Sequence, residues 1–299
     1  MMTGRRVLLG SALRQVSRMR FLSTTTAAAR GTVEVSYEGH VAIIKLRDDA
    51  RMNALTAEMG EEMLEAVDAV NASEARAVLL TGATPPPGGR GKKAFSAGGD
   101  LDFLWDRATK TSPRENQLIM MDFYKRFLCV RNLEVPVIAL INGPAVGAGA
   151  ALAVACDVRL GLDTAGISFP FTKLGIHPGM GSSCIVPRIA TSDSWAATIM
   201  LGGSMLTGED CVRSGLVQQL YPTEESLMQA GMEMANTMGS NAPLALKMMT
   251  KTLRMAKFKG LEEALEREAL TQAACYASED FKLGLAAVKT REPPVFKGN

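Results

Sequence analysis

Apolar and polar positions alternate at the start of the chain, in Val33–Tyr37 and again in Val41–Leu46, on either side of Glu38-Gly39-His40. This pattern predicts a β-hairpin. Thr56 is placed to cap a helix running to about Asn71, with Glu58, Glu61 and Glu62 in its first turns where the helix dipole favours negative charge. A short strand, Ala77–Thr81, precedes Gly82–Lys93, whose Pro85-Pro86-Pro87-Gly88-Gly89 run predicts a surface loop closed by Arg90, Lys92 and Lys93. Ser112-Pro113-Arg114-Glu115 combines a capping box with proline at the first helical position. It predicts a helix to about Asn132 with an apolar stripe of Leu118, Met121, Tyr124 and Leu128.

The buried-strand pattern Pro136–Ile141 turns at Asn142-Gly143-Pro144 and continues through Gly147-Ala148-Gly149 into the alanine-rich Ala150–Cys156, a predicted helix. Strands alternate with helices to about Tyr221. Four further helices are expected over Thr223–Gly239, Pro243–Lys257, Leu261–Ala277 and Glu279–Lys289. Periodicity alone gives an α/β protein.

Composition narrows this picture. With 299 residues, 47% of them hydrophobic and 21% charged, the chain can bury one substantial core. No apolar run reaches the roughly 18 residues of a membrane span, and Asn142, Gly143 and Pro144 interrupt the longest one. The formal charge of +2 comes from one end of the chain, because Arg5, Arg6, Arg14, Arg18, Arg20 and Arg30 all precede the first acid, Glu34. Without residues 1–30 the 33 basic side chains fall to 27 against 31 acidic ones, a net charge of −4 that offers no general attraction to nucleic acid. This basic, acid-free stretch has the make-up of a mitochondrial transit peptide. The spacing of Arg20, Leu22 and Thr25 places the expected cut near Ala29-Arg30, and the expected location in the matrix; a plain basic tail is the other reading. Five scattered cysteines read as reduced, mostly buried thiols, and with only His40 and His177 a histidine-rich metal site is not expected.

The chemistry lies in two glycine-rich turns. One is Ala94-Phe95-Ser96-Ala97-Gly98-Gly99-Asp100-Leu101, and the other is Gly147-Ala148-Gly149 at a strand-to-helix junction. The first N–H groups of a helix have no internal partner and sit at its positive end, so such a turn suits a developing negative charge.

At these residues the chain resembles the enoyl-CoA hydratase/isomerase family, the crotonases. The resemblance runs from about Val33 to Gly298. It takes in Arg51-Met52-Asn53-Ala54-Leu55, both turns, Leu174-Gly175, Pro178-Gly179-Met180-Gly181 and Ser278-Glu279-Asp280-Phe281. It implies a ββα spiral core over residues 31–222 that carries the acyl-CoA site. A C-terminal helical segment over 223–299 would serve trimer contacts, giving a homotrimer or a dimer of trimers.

The resemblance also implies a substrate, an acyl-CoA thioester, with coenzyme A entering only as part of it and no separate cofactor. The backbone N–H groups of Gly99 and Ala148 would hold the enolate oxygen, and Ala54, Ala97, Asp100 and Leu101 would line the CoA and pantetheine path. Phe103, Leu104 and Trp105 are candidates for the acyl wall, and Arg90, Lys92 and Lys93 for the CoA phosphates, with ordinary packing and a solvated loop as the alternatives.

The family's two catalytic glutamates fall at Ala151 and Phe171, which cannot transfer protons. General acid–base catalysis usually supplies about 10²–10⁴ in rate, so the usual hydratase mechanism is in question. The remaining candidates for the proton carrier are His177, an imidazole that titrates in the useful range, and Tyr124, the match to a helix position used by other members. A catalytically silent acyl-CoA-binding protein or assembly partner is the reading of a different class. One branch of the family binds RNA through a lysine-rich first helix; here that helix carries Glu58, Glu61, Glu62, Glu65 and Asp68, which argues against it.

Overall fold

A computed structural model describes residues 32–86 and 91–299. The leader read over residues 1–30, its expected cut, and Arg90 lie outside the described residues. The hairpin forms as the alternation requires: β1 (Thr32–Glu38) pairs antiparallel with β2 (Val41–Arg47). Thr56 caps α1 (Ala57–Asn71), its side chain accepting from the Met59 N–H, and the helix buries Met59, Met63, Val67 and Val70. β3 (Ala77–Gly82) then lies parallel to β2, buried along its whole length.

Asn53 explains why the Arg51–Leu55 block matters for architecture. It is buried, with φ of 55°. Its side chain donates to the carbonyls of Ala83 and Ala94 and accepts from the Asp48 N–H, tying three segments together.

After the loop come α2 (Leu101–Thr109) and α3 (Pro113–Leu128), the latter with the full capping box of Ser112 and Glu115. The last four residues of the expected helix, Cys129–Asn132, tighten into a 3-10 turn. Of the expected stripe, Tyr124 and Leu128 are buried and Met121 packs against the core, but Leu118 is 62% exposed, and Met120, Phe123 and Phe127 fill the inside instead. Two apolar registers overlap in this sequence. The one with larger side chains takes the core, where Phe123 meets Phe127 and Phe103 at ring-centre distances of 5.0 and 5.2 Å.

β4 (Val137–Ile141), β5 (Ala145–Val146), α4 (Ala148–Ala155), β6 (Val158–Leu162) and β7 (Gly166–Ser168) follow. Next are α5 (Ser182–Ile189), α6 (Asp193–Gly202), β8 (Leu206–Thr207), α7 (Glu209–Arg213) and β9 (Gln219–Tyr221). The main sheet has the order β1-β2-β3-β4-β6-β9, parallel except for the hairpin, and β5-β7-β8 form a small second sheet.

The C-terminal helices match the expected spans within a residue or two: α8 (Glu224–Gly239), α9 (Pro243–Lys257), α10 (Leu261–Tyr276) and α11 (Glu279–Thr290). Of these, α8 lies directly on the main sheet, with Gly231 against Leu140, whereas α10 packs on α3. α11 is seated against the 3-10 turn Thr172–Leu174, so closely that a β-carbon on Gly284 would fall 2.3 Å from the Leu174 carbonyl oxygen. Among the described residues no helix is long and apolar enough to cross a membrane.

Two helical glycines test this packing. A β-carbon on Gly202 would meet nothing within 4 Å, whereas one on Gly284 would run into backbone. Gly202→Ala should therefore leave stability unchanged or raise it by up to about 1 kcal/mol through helix propensity. Gly284→Ala should lose about 1–3 kcal/mol by overpacking. Urea unfolding of both variants beside the wild type measures the contrast; equal midpoints would refute the tight seat of α11.

Candidate active site

The two glycine turns meet backbone to backbone. Phe95 and Ser96 both donate to the Pro144 carbonyl, at 3.1 and 3.2 Å, and Val146 donates to the Ser96 carbonyl at 3.0 Å. Only glycine permits this approach: a β-carbon on Gly149 would lie 2.6 Å from Ser96, and one on Gly98 would lie 2.5 Å from the Val146 carbonyl oxygen. Gly98 and Gly147 also take positive φ, 95° and 52°.

As a result, Gly99 and Ala148 line one cavity of about 520 Å³. Among the described residues neither N–H has a hydrogen-bond acceptor: Leu55 bonds to the flanking Gly98 carbonyl and Asp100 N–H, and Ala148 is the first residue of α4. Two unpaired donors thus open into the same mostly apolar space, whose walls include Phe103, Leu104, Phe123 and Met180.

The other expected residues divide. Ala97 and Leu101 line the cavity, whereas Ala54 is buried beside the first turn and is not part of the wall. The Asp100 carboxylate is occupied as the cap of α2, accepting from Asp102 and Phe103 N–H, and lies 3.2 Å from the Arg51 guanidinium. Trp105 is outside the wall and 41% exposed, with the Lys289 ammonium over its ring. Lys93 pairs with Glu224. Of the two positions matched to glutamates, Phe171 lines the cavity with its ring toward Gly147, and Ala151 is fully buried in α4, behind the wall.

The two candidate proton carriers also part company. His177 faces a different cavity, together with Ser183 and Cys275, and its Nδ1 lies 2.7 Å from the Pro178 carbonyl oxygen. Tyr124 lines the cavity that holds Gly99 and Ala148. Its hydroxyl donates to Gln272 Oε1 at 2.7 Å, and burial pushes its pKa well above the ordinary phenol value, so it stays protonated.

Gln272 and Tyr276 are not among the residues expected at the site. Gln272 accepts from both Tyr124 and Tyr276 and donates through Nε2 to the His177 carbonyl, fixing the Pro178–Gly181 loop to α10. A β-carbon on Gly179 would lie 2.6 Å from the Tyr124 hydroxyl and 2.6 Å from Gln272 Nε2, so the loop can approach only as glycine. The signal that could have found them is the spacing Glu268, Gln272, Tyr276, which places three polar groups on one helix face at intervals of four.

Glu268 completes that face. It is fully buried, and its carboxylate accepts from the Gly181 N–H (2.6 Å), the Ser183 N–H (2.9 Å) and the Ser183 hydroxyl (2.6 Å).

Fold and site together define a crotonase-type α/β protein built around an apolar cavity with backbone donors at its edge. The sequence profile of the enoyl-CoA hydratase/isomerase family matches residues 36–299, and the chain belongs to that family. A Thermus thermophilus protein that carries the name of an enoyl-CoA hydratase is 34% identical over 260 residues, spanning 87% of this chain and 98% of its own length. The short-chain-enoyl-CoA hydratase of Clostridium acetobutylicum is 30% identical over 262 residues, spanning 87% and 95%. The crystal structure of an enoyl-CoA hydratase/isomerase from Pseudoalteromonas atlantica superposes with a TM-score of 0.74 at 26% identity, covering 89% of this chain and 100% of that one.

The Glu268 clasp has a pH signature. Burial raises its pKa above the ordinary 4.5, hydrogen bonding by Ser183 and Gly181 opposing the shift. A carboxyl group that holds its proton more tightly when folded gains stability as pH falls through the folded pKa toward 4.5, and loses it as pH rises through the same window. Glu268→Gln has no such proton to bind. The difference in unfolding free energy, wild type minus variant, should therefore grow in the wild type's favour between pH 7 and 4.5. Denaturant melts across that range measure it, and a difference independent of pH would refute the shift.

Proposed function

We propose that this chain binds an acyl-CoA thioester with its carbonyl oxygen between the N–H groups of Gly99 and Ala148, and that it stabilises the enolate formed there. The observation that carries this reading is the pair of unpaired donors opening into one apolar cavity, in a chain of the enoyl-CoA hydratase/isomerase family. Negative charge that develops on the oxygen gains from fixed dipoles which need no reorganisation. Glycine at 98 and 99 lets the thioester come within reach of main-chain nitrogen.

With alanine and phenylalanine where two glutamates would act, ordinary hydration lacks its means of moving protons. Tyr124 and Tyr276 are hydroxyls that line the cavity, and both direct the proton at Gln272 Oε1; the Tyr124 hydroxyl, the more closely held of the two, keeps its lone pairs for a donor on the substrate. A double-bond shift or another enolate-forming cleavage suits this site better than two-acid hydration. The metabolic setting we propose is mitochondrial fatty-acid or branched acyl-CoA turnover, on the strength of the basic leader. The apolar side chains left exposed on α9, among them Leu244, Met248 and Leu253, support assembly into trimers. The same alanine and phenylalanine favour a second reading, an acyl-CoA-binding partner without turnover.

Exchange of the α-carbon hydrogens of an acyl-CoA in deuterium oxide reports enolate formation whatever the final product. We expect the wild type to catalyse this exchange, and to hydrate crotonyl-CoA about 10²–10⁴ more slowly than a two-glutamate relative. Ala148→Pro deletes one donor at a first helical position, which proline tolerates. It should slow the exchange by about 10²–10³ with the circular dichroism spectrum unchanged. Binding without any exchange would establish the silent reading instead.

A further inference from the structure

The last residues of the chain turn back over the cavity. Arg291 ends α11 with a φ of 63°. Beyond it, Glu292, Pro293 and Pro294, together with Arg291 itself, line the same cavity as Gly99 and Ala148. The chain then returns to the other end of α11, where Asp280 grips it. One carboxylate oxygen accepts from the Lys297 N–H at 2.7 Å and the other from the Gly298 N–H at 2.8 Å. In return, the Asn299 carbonyl oxygen accepts from the N–H groups of Glu279 and Asp280, at 3.0 and 3.4 Å.

The reach is right. Twelve residues of helix span about 18 Å at 1.5 Å per residue. Six extended residues, 292–297, cover about 20 Å, and the two prolines hold the segment extended while offering no N–H for a ladder.

The two layers of this lid differ in how they are held. α11 is locked by backbone contacts at Gly284 with Leu174 and at Gly175 with Asp280. The returning segment is fastened only near its ends: the Glu292 N–H bonds to Thr290 Oγ1, and among the described residues no further hydrogen bond is made before Lys297. Val295 and Phe296 stay exposed, at 81% and 41%. This segment is a strap buckled at the start of α11, where the Asp280 carboxylate makes the two shortest bonds and the Glu279 and Asp280 N–H groups add two more.

Its inner side also differs from the rest of the wall. Arg291 and Glu292, both exposed and neither in an ion pair among the described residues, put two charged residues at the edge of a space otherwise walled mainly by hydrocarbon. We propose that residues 292–299 are a releasable wall that sets acyl-chain length. While the strap is buckled, the cavity accepts short acyl groups that remain among the apolar side chains. Longer chains enter only when the Asp280 contacts open and the charged edge swings out. The inference rests on the acyl-CoA reading of the cavity for its substrate, though not for its mechanics.

The test compares three proteins: the wild type, Asp280→Ala, and a chain ending at Arg291. Calorimetry with butyryl-, octanoyl- and dodecanoyl-CoA should find the wild type preferring the short chain. Both altered proteins should bind dodecanoyl-CoA roughly tenfold more tightly than the wild type, the gain expected for burying about two additional methylenes, with butyryl-CoA affected less than threefold. Amide exchange should find the Lys297 and Gly298 N–H groups protected in the wild type and released by dodecanoyl-CoA but not by butyryl-CoA. Entry of the apolar dye anilinonaphthalene sulfonate, which needs no thioester, should be faster in both altered proteins. If the wild type binds no acyl-CoA but the dye enters faster, the substrate reading fails and the strap stands. An unchanged chain-length profile, or unchanged dye entry, in Asp280→Ala and the shortened chain would overturn the strap.

Discussion

Everything at the site depends on two stretches of main chain lying closer together than side chains would allow. Gly98 approaches the Val146 carbonyl and Gly149 approaches Ser96 at distances where a β-carbon would collide. Three hydrogen bonds from Phe95, Ser96 and Val146 hold the contact. Because the two turns share these bonds, Gly99 and Ala148 are fixed relative to each other rather than merely near, and fixed donors are worth more than mobile ones when charge develops. The sheet reinforces the clasp: the Asn142 side chain donates to the Gly82 carbonyl, and Asn53 reaches the Ala94 carbonyl at the start of the first turn.

The same geometry divides labour between two kinds of polar group. Among the described residues the Gly99 and Ala148 N–H groups face the cavity without an acceptor, while several polar side chains around it are occupied. Asp100 caps α2, Glu268 holds the loop before α5, and Gln272 uses its amide on Tyr124, Tyr276 and the His177 carbonyl. On the proposed acyl-CoA reading, such a site has polarisation built in and makes proton movement the scarce resource. At the two positions that the family resemblance matches to glutamates stand Ala151 and Phe171, in a scaffold that superposes on its relatives.

Much of this was legible in the sequence, for local reasons. Hairpin alternation, the Thr56 cap and the Ser112–Glu115 box act within four residues, and the elements they announce lie where expected. The glycine turns could be read because small residues in series at a strand-to-helix junction have few other uses. What could not be read depends on partners far apart in the chain. Tyr124 meets Gln272 across 148 positions, and neither residue announces the other. The burial of Met120 and Phe123 in place of Leu118 was decided by how α3 meets its neighbours, because both registers of the helix are apolar. His177 lies next to the expected loop, but the direction of its ring is a tertiary matter.

The position of α8 has a consequence for how the molecule is made. Strands β3, β4 and β6 are complete by Leu162, yet the helix that covers them is Glu224–Gly239. During synthesis at about 5–20 residues per second, the buried face of the main sheet therefore waits several seconds for its cover. Through that interval a ribosome-bound chain carries an apolar surface that the finished protein never displays. A chaperone that recognises such surfaces has its opportunity there, and a ribosome stalled between residues 163 and 223 would release a fragment prone to aggregate rather than a smaller folded protein.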